Sequence, residues 1–228
     1  MACGRDRQAA FDQSLCYGAA MSALRTLFAT RLYEASLADA ADFPTFNREL
    51  EEAVRMLADE DEAGRAWCRK QGYGGYTSYA SLDDLPSRAT VFGELKRLLD
   101  RHVAAFAKDL ALELGPRGRL KLDSLWANVL KPAFGHSGHI HPHSVISGTV
   151  YVAVPAGAAG LRLEDPRLAM MMAAPPRAAE APEDLQTFVT LTPAPGTVFL
   201  WESWLRHEVP PSGGKGERIS ISFNYAWR

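Results

Sequence analysis

At 228 residues, with 47% hydrophobic and 23% charged side chains, the chain has the make-up of a globular protein with room for one sizeable core, which sets aside the disordered and fibrous classes. Twenty-five Lys and Arg against twenty-seven Asp and Glu leave a net charge of −2. So balanced a surface does not draw a nucleic acid or an anionic membrane as main partner, and a small molecule or a protein side chain is the expected substrate.

Cys3, Cys16 and Cys68 are odd in number and have no CxxC spacing, so they read as reduced thiols of a cytoplasmic protein rather than a disulfide framework or a zinc ribbon. The apolar stretch from Ser14 to Leu24 is too short, and too close to Asp12 and Gln13, for a secretory signal, and no run approaches a membrane span. Residues 1–20 are expected to be a flexible extension. A single domain follows over 21–228, opening with ALRTLFATRLYEASL and divided into a helical part (21–117) and a β-rich core (118–228).

From Pro44 the apolar set Phe46, Leu50, Ala53, Val54 and Leu57 recurs at helical spacing, with Glu49, Glu51, Glu52 and Arg55 on the other faces. GYGGYTSY (Gly72 to Tyr79) reads as a loop. A second helix is predicted from near Leu85 to Ser87, with apolar positions Val91, Leu95, Leu98, Leu99, Val103, Phe106 and Leu110, until Gly115-Pro116 stops it. These two long amphipathic helices are expected to form the outer wall of a sheet.

After Gly118 the pattern changes. LKLDSLWANVL, GTVYVAVP, GLRLEDP, TFVTLTP, GTVFLWE and ERISISFNYAW are short β-rich runs separated by Gly, Pro and polar residues, the rhythm of a sandwich or jelly roll. Only Leu168 to Asp184, rich in Ala, Pro and Met, breaks it; it reads as a surface loop, or as a lid over a pocket.

Four of the six histidines fall in GHSGHIHPHSVISG, and His207 sits in WLRHEV, eleven residues before Arg218. In an extended segment residues i and i+2 share a face, so His139 and His141 can address one ion. His143 continues that face, and His141 with His143 is a second register. A distant third ligand, for which His207 is the candidate, would complete a facial set on a mainly β, double-stranded β-helix.

The last run alternates strictly. It places Arg218, Ser220, Ser222 and Asn224 on one face and Ile219, Ile221, Phe223 and Tyr225 on the other. If the polar face lines a barrel interior, Arg218 and Ser220 form a carboxylate receptor, the guanidinium fork binding the acid and the hydroxyl adding a donor. The same alternation puts Thr149, Tyr151 and Ala153 on one face and Val150, Val152 and Val154 on the other, which makes Tyr151 a candidate phenolic donor to that acid. Asn128, with Trp126, Trp201 and Trp204, is a candidate for the pocket wall.

Over its C-terminal hundred residues the chain resembles the 2-oxoglutarate- and Fe(II)-dependent oxygenases. Within them it is most like a bacterial and phage group sharing W-x-N, H-x-H-P-x-S-x-x-S-G-x-x-Y-V, E-D-P-R and S-W-x-x-H-E-V-P-P…R-I-S-I-S-F-N, which stand here at Trp126 to Asn128, His139 to Val152, Glu164 to Arg167 and Ser203 to Asn224. FLWESWLRHEVPP is also similar to the prolyl hydroxylases, whose histidine before Glu-Val is the distal iron ligand. The resemblance implies a cupin-like jelly-roll core with the helices packed outside, iron on His139 and His207, and 2-oxoglutarate held through its distal carboxylate by Arg218 with Ser220. It also implies an O2-dependent hydroxylation that releases succinate and CO2.

One position departs from the wider family. His141 stands where most relatives have Asp or Glu, leaving the Fe(II) site one positive charge higher. Glu164 and Asp165 are the nearest carboxylates that could substitute. The departure keeps a second reading open: a cupin-like three-histidine metal protein, either a dioxygenase without co-substrate or a small-acid-binding module.

Overall fold

Two hydrophobic clusters, one on each side of a six-stranded antiparallel sheet, organise the protein. The computed structural model describes residues 23–228; the expected extension over 1–20, Cys3 and Cys16 lie outside the described residues. In chain order the elements are β1 (Leu32–Ser36), α1 (Phe43–Glu60), α2 (Glu62–Gln71), β2 (Gly75–Thr77), α3 (Thr90–Asp109), β3 (Leu120–Leu130), β4 (His136–His139), β5 (Ile146–Ala153), β6 (Leu161–Glu164), β7 (Phe188–Leu191), β8 (Thr197–Glu202), β9 (His207–Val209) and β10 (Arg218–Trp227). The large sheet has the order β1-β8-β5-β10-β3-β2 and the small sheet β4-β9-β6-β7, and together they make the expected jelly roll.

The first cluster lies between the large sheet and the helices. Leu50 and Val54 of α1 and Leu95, Leu99 and Phe106 of α3 meet Val150, Ile219, Ile221 and Phe223 of the sheet. The second cluster fills the space between the sheets with Leu130, Tyr151, Leu163, Phe199, Trp201 and Val209. A sheet covered on both faces buries its polar side chains as well as its apolar ones. Hence the alternation of β10 has structural force: Ile219, Ile221, Phe223 and Tyr225 face the helices, while Arg218, Ser220 and Asn224 are buried on the other face.

The helical part differs from the sequence expectation in four places. β1 emerges from ALRTLFATRLYEASL as an edge strand on β8, and β2 lies within the expected GYGGYTSY loop, so the region before 118 supplies two strands of the large sheet as well as helices. Gly75 makes β2 possible: its φ is 142°, and a Cβ there would meet the Val129 carbonyl oxygen at 2.0 Å. A third helix, α2, follows α1 directly, because the Asp61 carboxylate accepts a hydrogen bond from Gly64 N at 2.8 Å and caps a new N-terminus. In α3, Leu85–Ser87 is a separate 3₁₀ turn, and the helix ends at Asp109, ahead of Gly115.

β5 contains a bulge that reverses its phase. Ser220 pairs with Tyr151 and Ile219 with Ala153, which leaves Val152 as an extra residue. Ala153 therefore packs with the helix-side cluster and Val154 with the inter-sheet cluster, the opposite of the strict alternation read from the sequence. The Val152 carbonyl accepts a hydrogen bond from Asn47 Nδ2 of α1 at 3.1 Å. Among the described residues no helix is long and apolar enough to cross a membrane.

Candidate functional site

β4 and β9 are adjacent in the small sheet, in a register that sets His139 opposite His207. β4 ends at His139, yet His141 still turns to the same point, because its backbone N–H donates to the Ser203 carbonyl at 3.0 Å. The three rings converge, with centroid separations of 4.4 Å for His139 and His207, 4.9 Å for His141 and His207, and 5.1 Å for His139 and His141. One ring nitrogen from each lies within 4.8 Å of the others, a spacing that lets all three reach one ion.

Each ring is held through Nδ1. His139 Nδ1–H donates to the Ser137 carbonyl at 2.7 Å, and His207 Nδ1–H to the Leu205 carbonyl at 2.9 Å. His141 Nδ1–H donates to Asn224 Oδ1 at 2.6 Å. A carbonyl oxygen has no proton to give, so each Nδ1 must carry one, and each Nε2 keeps its lone pair. Burial holds the His207 imidazole neutral: it pushes His207 down to about 3, with the Leu205 carbonyl opposing the shift and the neighbouring histidines adding to it. Burial also lowers His141, against the opposing hydrogen bond to Asn224.

The alternatives of the sequence reading fall outside this cluster. His143 is exposed, has a φ of 73° and takes no part in it, because the turn after His141 ends the alternation. Glu164 is ion-paired with Arg206 and Asp165 with Arg167. The segment 168–184 joins β6 to β7 as a largely exposed connection, with Met170 and Met172 open to solvent.

Across the same interior lies Arg218. It is 7% exposed, its Nε and Nη1 have no hydrogen-bond partner, and no carboxylate among the described residues pairs with it. Its guanidinium carbon stands 5.0 Å from the Tyr151 ring centre, and the fully buried Tyr151 hydroxyl is also unpartnered. Burial raises the Tyr151 phenol and keeps it a donor, with nearby Arg218 opposing the shift. Ser220 is buried between them in register, opposite Tyr151 on β5 and Asn128 on β3. Asn128 accepts from Thr77 Oγ1 at 2.8 Å and donates to Ser222 Oγ at 3.1 Å, so it braces β2 and β10.

Of the five buried side-chain polar atoms without a partner among the described residues, four belong to Tyr151, Trp201 and Arg218. Unpaired buried polar groups are costly, and a polar ligand between the sheets would relieve that cost. Trp201 lies 4.6 Å from His207 ring to ring, and Trp126 lies 5.8 Å from His141, which puts two of the three expected tryptophans against the histidines. Trp204 is half exposed.

The sequence reading gave no role to Tyr73, His136, Ser147 or Asn224. The Tyr73 hydroxyl and His136 Nε2 are hydrogen-bonded at 2.6 Å. Burial, with help from Arg218 and His139, pushes His136 down to about 4. Ser147 and Asn224 buttress His141. The signal for Asn224 was its place on the polar face of β10; for Tyr73 there was none, because its loop reads only as a turn.

Residues 124–224 match the family model described as "Putative 2OG-Fe(II) oxygenase". Over this region the chain is similar to that family. The region holds the three histidines, Arg218 and every element between them. No curated protein matches the chain in sequence. Among solved structures, a Pseudomonas putida prolyl-4-hydroxylase is similar with a TM-score of 0.55 at 17% identity, over 86% of this chain and 92% of that one. The non-heme alpha-ketoglutarate-dependent epimerase SnoN from nogalamycin biosynthesis aligns with a TM-score of 0.57 at 15% identity, over 86% and 77%. HygX from Streptomyces hygroscopicus, with nickel and 2-oxoglutarate bound, gives 0.54 at 14%, over 87% and 82%. At these identities the likeness is one of fold, and it extends well beyond the region matched in sequence.

Proposed function

We propose that the protein is an Fe(II)- and 2-oxoglutarate-dependent oxygenase that hydroxylates a small molecule or a protein side chain, and that residues 21–228 act as one oxygenase domain. His139, His141 and His207 hold the iron; Arg218, with Ser220 and Tyr151, receives the distal carboxylate of 2-oxoglutarate. The observation that carries this reading is the buried, unpaired guanidinium of Arg218 in the chamber that also holds the histidines. A buried cation without a counter-ion costs several kcal/mol, roughly, and a carboxylate ligand removes that cost.

When bound, iron and 2-oxoglutarate with O2 supply the oxidant that removes a substrate hydrogen, with release of succinate and CO2. The protein's own work is orientation and exclusion of water. The three imidazoles, fixed through Nδ1, would hold the iron through their remaining ring nitrogens. Arg218 and the Tyr151 hydroxyl offer donors at the far end, which sets the direction in which a dicarboxylate enters. Leu130, Phe199 and Trp201 wall the interior and keep bulk water from the reacting end.

Purified protein supplied with Fe(II), ascorbate, O2 and 2-oxoglutarate is expected to form succinate, slowly without substrate and faster with it, and Arg218→Met is expected to need far more 2-oxoglutarate to do so. Oxygen uptake that is indifferent to 2-oxoglutarate would instead favour a three-histidine dioxygenase, the second reading that His141 supports by standing in for a carboxylate.

A further inference from the structure

All three metal-facing histidines pass their Nδ1 protons to uncharged oxygens, two of them backbone carbonyls. Only His141 uses a side chain, Asn224 Oδ1 at 2.6 Å. Asn224 is 8% exposed and sits at the centre of a cross-strand network: it lies opposite Ser147 on β5 and Ser124 on β3. Ser147 Oγ donates to Asn224 Oδ1 at 2.8 Å and lies 2.7 Å from Ser203 Oγ, while Asn224 Nδ2 donates to Ser124 Oγ at 3.2 Å. The amide is thus held with its oxygen toward His141. Ser203 also receives the His141 backbone N–H through its carbonyl, so one network fixes both the ring and the chain that carries it.

A carboxylate in this place would draw the Nδ1 proton toward itself, make the imidazole a stronger donor and supply part of the negative charge that the metal set lacks. An amide oxygen orients the ring and adds no charge. We infer that Asn224 is the positioning residue that fixes His141 as a neutral third metal ligand, so that the full charge of a divalent ion is left for an incoming anion to balance. This rests on the oxygenase reading for its metal and goes beyond it in assigning the charge state of the centre to a residue that touches neither metal nor co-substrate. It also accounts for a third imidazole being workable in the chamber: the dianionic keto acid, held by Arg218 at its other end, supplies the compensation.

The test uses Co(II) binding to the full-length apo-protein, read from the visible d–d bands and by calorimetry, without 2-oxoglutarate. Asn224→Ala is expected to lower Co(II) affinity about 10–100-fold, the usual cost of losing an outer partner of a ligating histidine. Asn224→Asp, close in shape, is expected to bind Co(II) more tightly than the wild type and to shift the d–d bands, a change that loss of packing does not produce. It also serves as the readout should Asn224→Ala fail to fold by circular dichroism. Wild-type affinity and an unshifted spectrum in Asn224→Asp would overturn the inference while leaving the metal centre in place. Absence of Co(II) binding by the wild type would overturn the metal centre itself.

Discussion

Arg218 and Tyr151 face one another across adjacent strands, guanidinium carbon 5.0 Å from ring centre, and both end in buried polar atoms with no partner among the described residues. On the function proposed above, the pair is half of a hydrogen-bonded site whose other half is the 2-oxoglutarate carboxylate. Arg218→Met is therefore expected to weaken 2-oxoglutarate binding by at least about 30-fold, the lower end for removing one partner of a buried charge pair. Tyr151→Phe should cost about tenfold, as for one hydrogen bond to a charged group. The apo-protein with Arg218→Met should be no less stable than the wild type, since the substitution removes an unpaired buried charge. Calorimetric titration together with denaturant unfolding checks all three; a marked loss of apo-stability would show that Arg218 is a structural residue.

Metal binding should stabilise the fold by mass action. At a free metal concentration of about 100 times Kd the gain is ~2.7 kcal/mol, or a rise in Tm of roughly 5–10 °C for a domain of this size. His139→Ala and His207→Ala are expected to lose that rise. His143→Ala, at an exposed position outside the cluster, is expected to keep it.

Acid should destabilise the metal-free protein through its buried neutral histidines. His136 is held at about 4 and His207 at about 3, both below the unfolded value near 6.5. Below pH 6.5 the unfolded chain therefore binds more protons than the folded one. Stability falls with pH from there down to the folded values, by ~1.4 kcal/mol per pH unit for each such histidine. His136→Asn should flatten the slope between about pH 6 and 4.5 by one proton; an unchanged slope would place a neutral His136 in doubt.

Gly75→Ala should be severely destabilising. A Cβ would fall 2.0 Å from the Val129 carbonyl oxygen at a φ of 142°, so β2 must move off β3. Urea unfolding should show a loss of several kcal/mol, roughly, whereas Gly72→Ala, at the αL cap of α2 with open space around it, should cost about 1 kcal/mol.

Much of this architecture was legible because burial imposes period. Six of the eight strands after Gly118, all but β4 and β9, and the two polar and apolar faces of β10 follow from alternation, since a sheet covered on both sides tolerates no slip. The histidine cluster was legible from spacing, as was Arg218. What escaped depends on contacts distant in sequence. β1 and β2 are strands because β8 and β3 offer edges to them, and nothing in LYEAS or GYT signals that alone. α2 was hidden because Asp61, within a run of acidic residues, reads as a solvated face rather than a cap. The bulge at Val152 inverts Ala153 and Val154, a one-residue event with no mark in an unbroken apolar run. Asn224 was placed on the correct face, but its hold on His141 joins residues far apart in the chain.

The most direct test is an anaerobic titration of the apo-protein with Fe(II) and then 2-oxoglutarate, watched for the visible metal-to-ligand charge-transfer band of the chelate, with Arg218→Met in parallel. The account predicts a band in the wild type that saturates at one equivalent, and a Arg218→Met variant that needs far more 2-oxoglutarate to reach it. Stoichiometric Fe(II) binding with no band at any 2-oxoglutarate concentration would contradict it, and would make Arg218 the receptor of a different acid.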